Sequence, residues 1–249
     1  MQSRCSLHVA EHSALVAVHL RGCFRHFTAL IAATGFAAGL RGQAPQPSDI
    51  DLLVLRSAAG GAATPAGWAT RAVRGQQLPT SRIVDTIGMR FLRISGQGQA
   101  GWLVRELPVP LEAAAGRLLW SWRTPVSPLG ADISAARTDD AALRVFVVFA
   151  REGRFQRTPR VLYYSLADGD PAPDRSDAAF GVRIAGRPAL TRDWMQASAE
   201  PFLDYHRVWG RAPPPIVAIG VMQDSDQTKR AAIGDIMSLY WRRSDDAQR

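Results

Sequence analysis

Hydrophobic and polar positions along this chain fall mostly into the period of two that marks β-strands. The clearest stretch is Thr138–Ala150, TDDAALRVFVVFA, an acidic turn running into a long apolar segment. Leu143, Val145, Val147 and Phe149 share one face, and Ala142, Arg144, Phe146 and Val148 the other. Two apolar faces predict a central strand covered on both sides. An arginine inside such a strand needs a partner, because a lone buried charge is costly. Asp139 and Asp140 are the nearest candidates for Arg144.

Other stretches repeat the period. Met89–Ser95 alternates cleanly, Gly96–Gly101 is a hairpin signal, and Trp102–Leu107 is the return strand, which Pro108 and Pro110 are expected to end. In Arg117–Thr124, Leu118, Trp120 and Trp122 share a face. Short strands are expected at Ile50–Leu55, Trp68–Arg74, Arg160–Leu166, Phe180–Ile184 and Pro188–Thr191. Ile216–Met222 is apolar on both faces, and Ala231–Trp241 sets Ile236, Ser238 and Tyr240 opposite Met237, Leu239 and Trp241. Only Ala199–Gly210 reads as a helix: Phe202, Tyr205 and Trp209 are at helical spacing, Pro201 suits the first turn, and Gly210 suits the exit. The expected fold is all-β, a jelly-roll-like β-sandwich of galactose-binding or lectin-like type with one short helix near 199–210.

The chain has 249 residues, 47% of them hydrophobic, enough for a large core. Its net charge of +8 is almost all arginine, Lys229 being the only lysine, with no run of five basic residues. That spread predicts no nucleic-acid partner. Arg21, Arg25 and His26 precede the apolar run Phe27–Leu40, and small residues follow at Gly42 and Ala44. This describes a secretory signal peptide over 1–44, with Met1–Gly22 long for an n-region. The run is short for a membrane span, which takes about 20 residues. A linker and first strand over 45–67, a sandwich domain over 68–243 and a disordered tail over 244–249 complete the organisation. Cleavage near Ala44 makes the product periplasmic or secreted, with no membrane span. It also removes both cysteines, Cys5 and Cys23, and with them any disulfide or thiolate chemistry.

Candidate chemistry lies in acidic turns and aromatics. Asp224-Ser225-Asp226 follows one buried strand and Asp235 lies near the start of the last. Asp-x-Asp spacing suits a hard cation, so Asp224, Asp226, Thr228 and Asp235 are candidate calcium ligands, although the loop is not an EF-hand. The bland alternative is turn capping and pairing with Arg144. Among the aromatics, Trp122, next to Arg123, is expected to be the most exposed. Trp122, Asp139, Asp140, Arg144, Tyr163, Asp204 and Tyr205 form the candidate ligand set. His206 is the only histidine after the apolar run, which excludes a multi-histidine zinc site. No cofactor is required by any motif, and no catalytic residue is assigned.

The order of motifs LLWSWR, a loop ending GAD, DDAALRVFVVF, VLYYS, an isolated Trp194, FLDYHRVWG, IVAIGVMQDSDQT and GDI resembles the bacterial domain-of-unknown-function family 3047. The resemblance runs from about Trp68 to Tyr240. It implies an exported jelly-roll-like domain with no established activity, and Asp139, Asp140, Arg144, Asp204, Tyr205, Asp224, Asp226, Thr228 and Asp235 match the family's characteristic polar positions. Gln227 and Lys229 depart from its loop pattern. Three readings follow: a domain binding a carbohydrate or cell-envelope polymer, a polysaccharide hydrolase or lyase, and a purely structural envelope module. An exposed aromatic strip on a concave sheet favours the first, close carboxylates with one buried favour the second, and scattered acids with no groove favour the third.

Overall fold

The computed structural model describes residues 46, 48–112, 116–152, 158–166, 179–183 and 191–243. The leader expected over 1–44, most of the strand expected over 188–191 and the tail expected over 244–249 lie outside the described residues. Twelve described strands, β1 (Ile50–Asp51), β2 (Ala69–Ala72), β3 (Thr80–Thr86), β4 (Met89–Gln97), β5 (Ala100–Leu111), β6 (Gly116–Val126), β7 (Ala141–Phe149), β8 (Val161–Ser165), β9 (Ala179–Arg183), β10 (Thr191–Ala199), β11 (Ile216–Asp224) and β12 (Ala231–Arg243), and one helix, α1 (Pro201–Trp209), build a jelly-roll-like β-sandwich. Sheet I runs β10-β6-β12-β4-β3, with β1 on β12; sheet II runs β2-β5-β11-β7-β8-β9. All pairings are antiparallel except β8 with β9.

Between the sheets lies one apolar core. Leu118, Trp120, Trp122, Leu92, Ile94, Ile236, Leu239 and Trp241 face Leu103, Leu143, Val145, Val147, Phe149, Ile219 and Val221. β7 is central and buried on both sides, as its pattern predicts. Trp120 and Trp122 meet edge to face at 5.4 Å. Near Gly234 the sheets touch: a Cβ there would stand 2.6 Å from the Ala142 carbonyl oxygen. At the other end of β7, α1 closes the sandwich, with Tyr205 4.6 Å and Phe202 6.1 Å from Phe149, ring to ring. Pro201 occupies its first turn, and Gly210 ends it at φ 64°, its N–H donating to the His206 carbonyl.

Several boundaries differ from expectation for identifiable reasons. The strand expected over Ile50–Leu55 stops at Asp51, whose Oδ1 accepts the N–H groups of Leu53 and Val54 and turns the chain. β5 continues through Pro108 and Pro110 to Leu111. Its pairing with β2 ends at Val104, and its pairing with β11 is irregular between Glu106 and Leu111, so the prolines remove few ladder bonds. β3 and most of β10 carry little alternation and were not expected. Both are edge strands of sheet I, and their core-facing positions include small or polar residues, Ser81 in β3 and Ala197 and Ala199 in β10. In β12 a register shift between Ile236 and Ser238 breaks strict alternation, so Ile236, Leu239 and Trp241 all reach the core.

Candidate functional site

Because the odd residues of β7 enter the core, its even residues floor the outer face of sheet II. Phe146 lies opposite Gly220 of β11 on one side and Tyr163 of β8 on the other. A Cβ on Gly220 would stand 2.3 Å from Phe146 Cζ and 2.4 Å from the Leu103 carbonyl oxygen. The glycine therefore lets the Phe146 ring lie across its strand, 5.7 Å from the Tyr163 ring. From the far side β5 contributes Val104 and Trp102, whose Nε1 donates to Met222 Sδ at 3.0 Å. Val148, Val161 and Ala218 complete the apolar lining of a groove of about 690 Å³. An ion pair between Arg71 and Glu106, 3.0 Å apart, forms part of its polar rim. Phe146 is buried, whereas Trp102 and Tyr163 are partly exposed.

At the Ala141 end of β7 the same face ends in acid. Asp140, Asp224 and Asp226 bring carboxylate oxygens within 4.8 Å of one another, all three buried. Asp140 braces the loop after β11: Oδ1 accepts the Gln227 N–H at 3.1 Å, and Oδ2 accepts the Thr228 N–H at 2.7 Å and its hydroxyl at 2.6 Å. Arg144 is not its partner. Nη2 donates to Asp139, at 2.6 Å to Oδ1 and 3.0 Å to the carbonyl, and Nη1 lies 3.7 Å from Asp224 Oδ2. Pairing with Asp139 is thus as expected from sequence, while the Asp140 alternative is corrected: Asp140 accepts from the 227–228 backbone instead. Burial raises the Asp224 pKa to about 7 against the pull of Arg144, with Asp226 and Asp140 adding to the rise. These three carboxylates could together hold a cation, or one of them could hold a proton.

The remaining candidates are dispersed. Trp122, expected to be exposed, is 0% exposed in the core and cannot stack on a ligand. Its face was read correctly, but that face turns inward. Asp235 is also fully buried, between Arg93 and Arg123 on sheet I, away from Asp224 and Asp226. Thr228 joins the cluster through its bonds to Asp140. Asp204 accepts from the Tyr164 hydroxyl at 3.1 Å, its pKa raised chiefly by burial, and Tyr205 accepts from Arg160 at 2.6 Å. Both belong to the packing of α1. Tyr163 does line the groove. Trp102 and Phe146 line it too; the signal for Phe146 was the apolar outer face of β7, and Gly220 of β11 leaves room for its ring.

The family model for "Protein of unknown function (DUF3047)" matches residues 66–176, so the resemblance holds there, and the motifs from Trp194 onward lie beyond the matched span. No curated protein matches the chain. Among solved structures, the chain is similar to the family 11 carbohydrate-binding module of a cellulosomal cellulase of Clostridium thermocellum, at 9% identity and TM-score 0.45, over 79% of this chain and 95% of that one. It is also similar to a family 30 carbohydrate-binding module from the same organism, at 11% identity and TM-score 0.44, over 79% and 98%. The family 11 xylanase from Neocallimastix patriciarum gives 8% identity and TM-score 0.44, over 71% and 91%. At these scores the functional argument rests on the chain's own residues.

Because the Asp224 pKa is raised above the ordinary carboxylate value of 3.8, its stabilising contribution is complete below about pH 4 and is lost as pH rises to about 7. Melts from pH 4 to pH 8 are therefore expected to show Asp224→Asn gaining on wild type as pH rises, the gap widening by about 3 kcal/mol between pH 5 and pH 8. Calcium added at pH 8 raises the wild-type midpoint if the carboxylates take a cation; an unchanged midpoint returns them to turn capping and pairing with Arg144. Asp140→Ala, which unties the 227–228 turn, lowers stability by about 2–3 kcal/mol at either pH in urea unfolding.

Proposed function

We propose that this relative of the DUF3047 family is a polysaccharide-binding domain and that its binding surface is the outer face of sheet II. The observation that carries the reading is the groove of about 690 Å³, with Trp102 and Tyr163 partly exposed over a buried Phe146 and a charged rim. Its size falls in the range of small-ligand clefts. Five strands, β2, β5, β11, β7 and β8, cross beneath it, a width of about 19 Å at about 4.8 Å per strand, which suits an extended oligosaccharide. Pyranose rings present flat C–H faces to aromatic rings and hydroxyls to charged rims. Bonding to Met222 holds the Trp102 plane, and packing on Phe146 restricts Tyr163, so little side-chain freedom is lost on binding.

A hydrolase or lyase is the second reading, favoured by one feature: burial pushes the Asp224 carboxyl up to about 7 beside Asp226. Each of these residues is only 8% exposed, so substrate reaches them poorly and binding ranks first. A purely structural envelope module would need no aromatic groove. Export is part of the proposal and rests on the 1–44 leader pattern; among the described residues no helix is long and apolar enough to cross a membrane.

Affinity electrophoresis through gels holding xylan, mixed-linkage glucan or hydroxyethylcellulose tests the binding. At least one polymer is expected to retard the protein, with Trp102→Ala and Tyr163→Ala each weakening binding about tenfold while leaving the melting midpoint near wild type. Retardation by none of the polymers, or equal retardation of the variants, overturns the reading. Release of reducing ends that disappears in Asp224→Asn would promote the hydrolase instead. Expression with the leader in a Gram-negative host, followed by N-terminal sequencing of the periplasmic product, is expected to place cleavage near Ala44.

A further inference from the structure

The outer face of sheet I carries a second constellation, independent of the groove. Asp235 of β12 lies in register with Arg93 of β4 and Arg123 of β6. Arg93 holds it bidentately, Nε to Oδ1 at 2.7 Å and Nη2 to Oδ2 at 2.9 Å. Arg123 adds Nε to Oδ2 at 2.7 Å. Arg93 alone already serves both oxygens, so the second guanidinium leaves this patch with an excess positive charge. Arg82 of the edge strand β3 is in register with Arg93 and extends that charge outward.

Arg123 is unusually well oriented. Its guanidinium carbon lies 4.6 Å from the Trp194 ring centroid and 5.1 Å from that of Phe91, and the two rings meet edge to face at 5.4 Å. A carboxylate and two aromatic rings therefore set its plane. Among the described residues its hydrogen bonding engages Nε alone, so the terminal fork retains its donors, and the side chain is 21% exposed. A guanidinium fork matches the two oxygens of a carboxylate, and fixing it beforehand lowers the entropy lost on binding.

Two residues along β6 from Arg123, on the same face, Ser121 lies in register with Ser238 of β12 and Gln196 of β10. With Tyr240 and Met237 these residues line a pocket of about 340 Å³. The backbone positions that carry the hydroxyl and amide groups thus stand about 7 Å along the strand from that of Arg123, a separation comparable with the width of one sugar ring. We infer that this face binds a carboxylate-bearing saccharide. The uronate carboxylate takes the Arg123 fork, the ring packs beside Trp194, and the ring hydroxyls bond to Ser121, Gln196 and Ser238. The site differs from the sheet II groove in strands, charge and ligand, and stands whether or not the groove binds a polymer.

Calorimetric titration of the full chain with galacturonate, glucuronate, galactose and inorganic phosphate tests the inference, with tryptophan fluorescence as a second readout. A uronate is expected to bind at least about tenfold more tightly than galactose. Arg123→Lys, which keeps the charge and loses the fork, weakens it by about tenfold, and Gln196→Ala weakens it without lowering the melting midpoint. Trp102→Ala and Tyr163→Ala leave it unchanged. Should Arg123→Lys unfold, Gln196→Ala and Ser121→Ala decide alone. No uronate binding, uronate binding equal to that of galactose, undiminished binding in all of the sheet I variants, or binding of phosphate without uronate would each overturn the inference.

Discussion

The pairing of β7 with β11 at the centre of sheet II is the constraint on which the rest depends. Both strands are buried on both faces, so each residue along them is assigned by alternation to the core or to the outer surface. Inward residues from Leu143 to Phe149 meet the tryptophans of sheet I. Outward residues place Phe146 over Gly220 and make the groove floor. A one-residue slip in this pair would exchange the two sets and remove core and groove together.

Charge follows from the same burial. Arg144 points outward from a strand that is otherwise apolar and is 7% exposed, so the fold surrounds it with Asp139 and Asp224. Asp140 meets a different need, satisfying the backbone donors where the chain turns after β11. Burying these carboxylates, and then packing them together, makes ionising all of them cost free energy, and Asp224 bears that cost as a raised pKa. On sheet I the balance is reversed: one buried carboxylate holds two arginines, and the surplus is positive. The two outer faces therefore offer different chemistry, aromatic on sheet II and guanidinium-rich on sheet I.

Much of the fold was legible in the chain because strands packed against a core carry alternation. Ala141–Phe149, Ile216–Asp224, Gly116–Val126 and Met89–Gln97 all appear where the pattern puts them, and α1 lies within its expected bounds. β3 and β10 were not legible, because small or polar residues stand at their core-facing positions, Ser81 in β3 and Ala197 and Ala199 in β10, while Trp194 of β10 lies on the outer face, so the two faces differ little in hydrophobicity. The extension of β5 through two prolines was hidden for a related reason. Proline is tolerated only where a neighbour's pairing lapses, which is a property of the sheet.

Alternation and composition by themselves determined an all-β sandwich with one helix, the two-sided burial of β7, and the need of Arg144 for an acidic partner. They could say which residues share a face, since that depends only on the pleat. Only the tertiary structure decided which face turns inward, and so buried Trp122 while leaving Trp102 and Tyr163 at the groove. It also decided which aspartates meet, joining Asp140 to Asp224 and Asp226 across strands and setting Asp235 between Arg93 and Arg123 on the other sheet. Strand order and register bring these residues together from positions up to 142 apart in the chain, and neither is written in any local stretch of it.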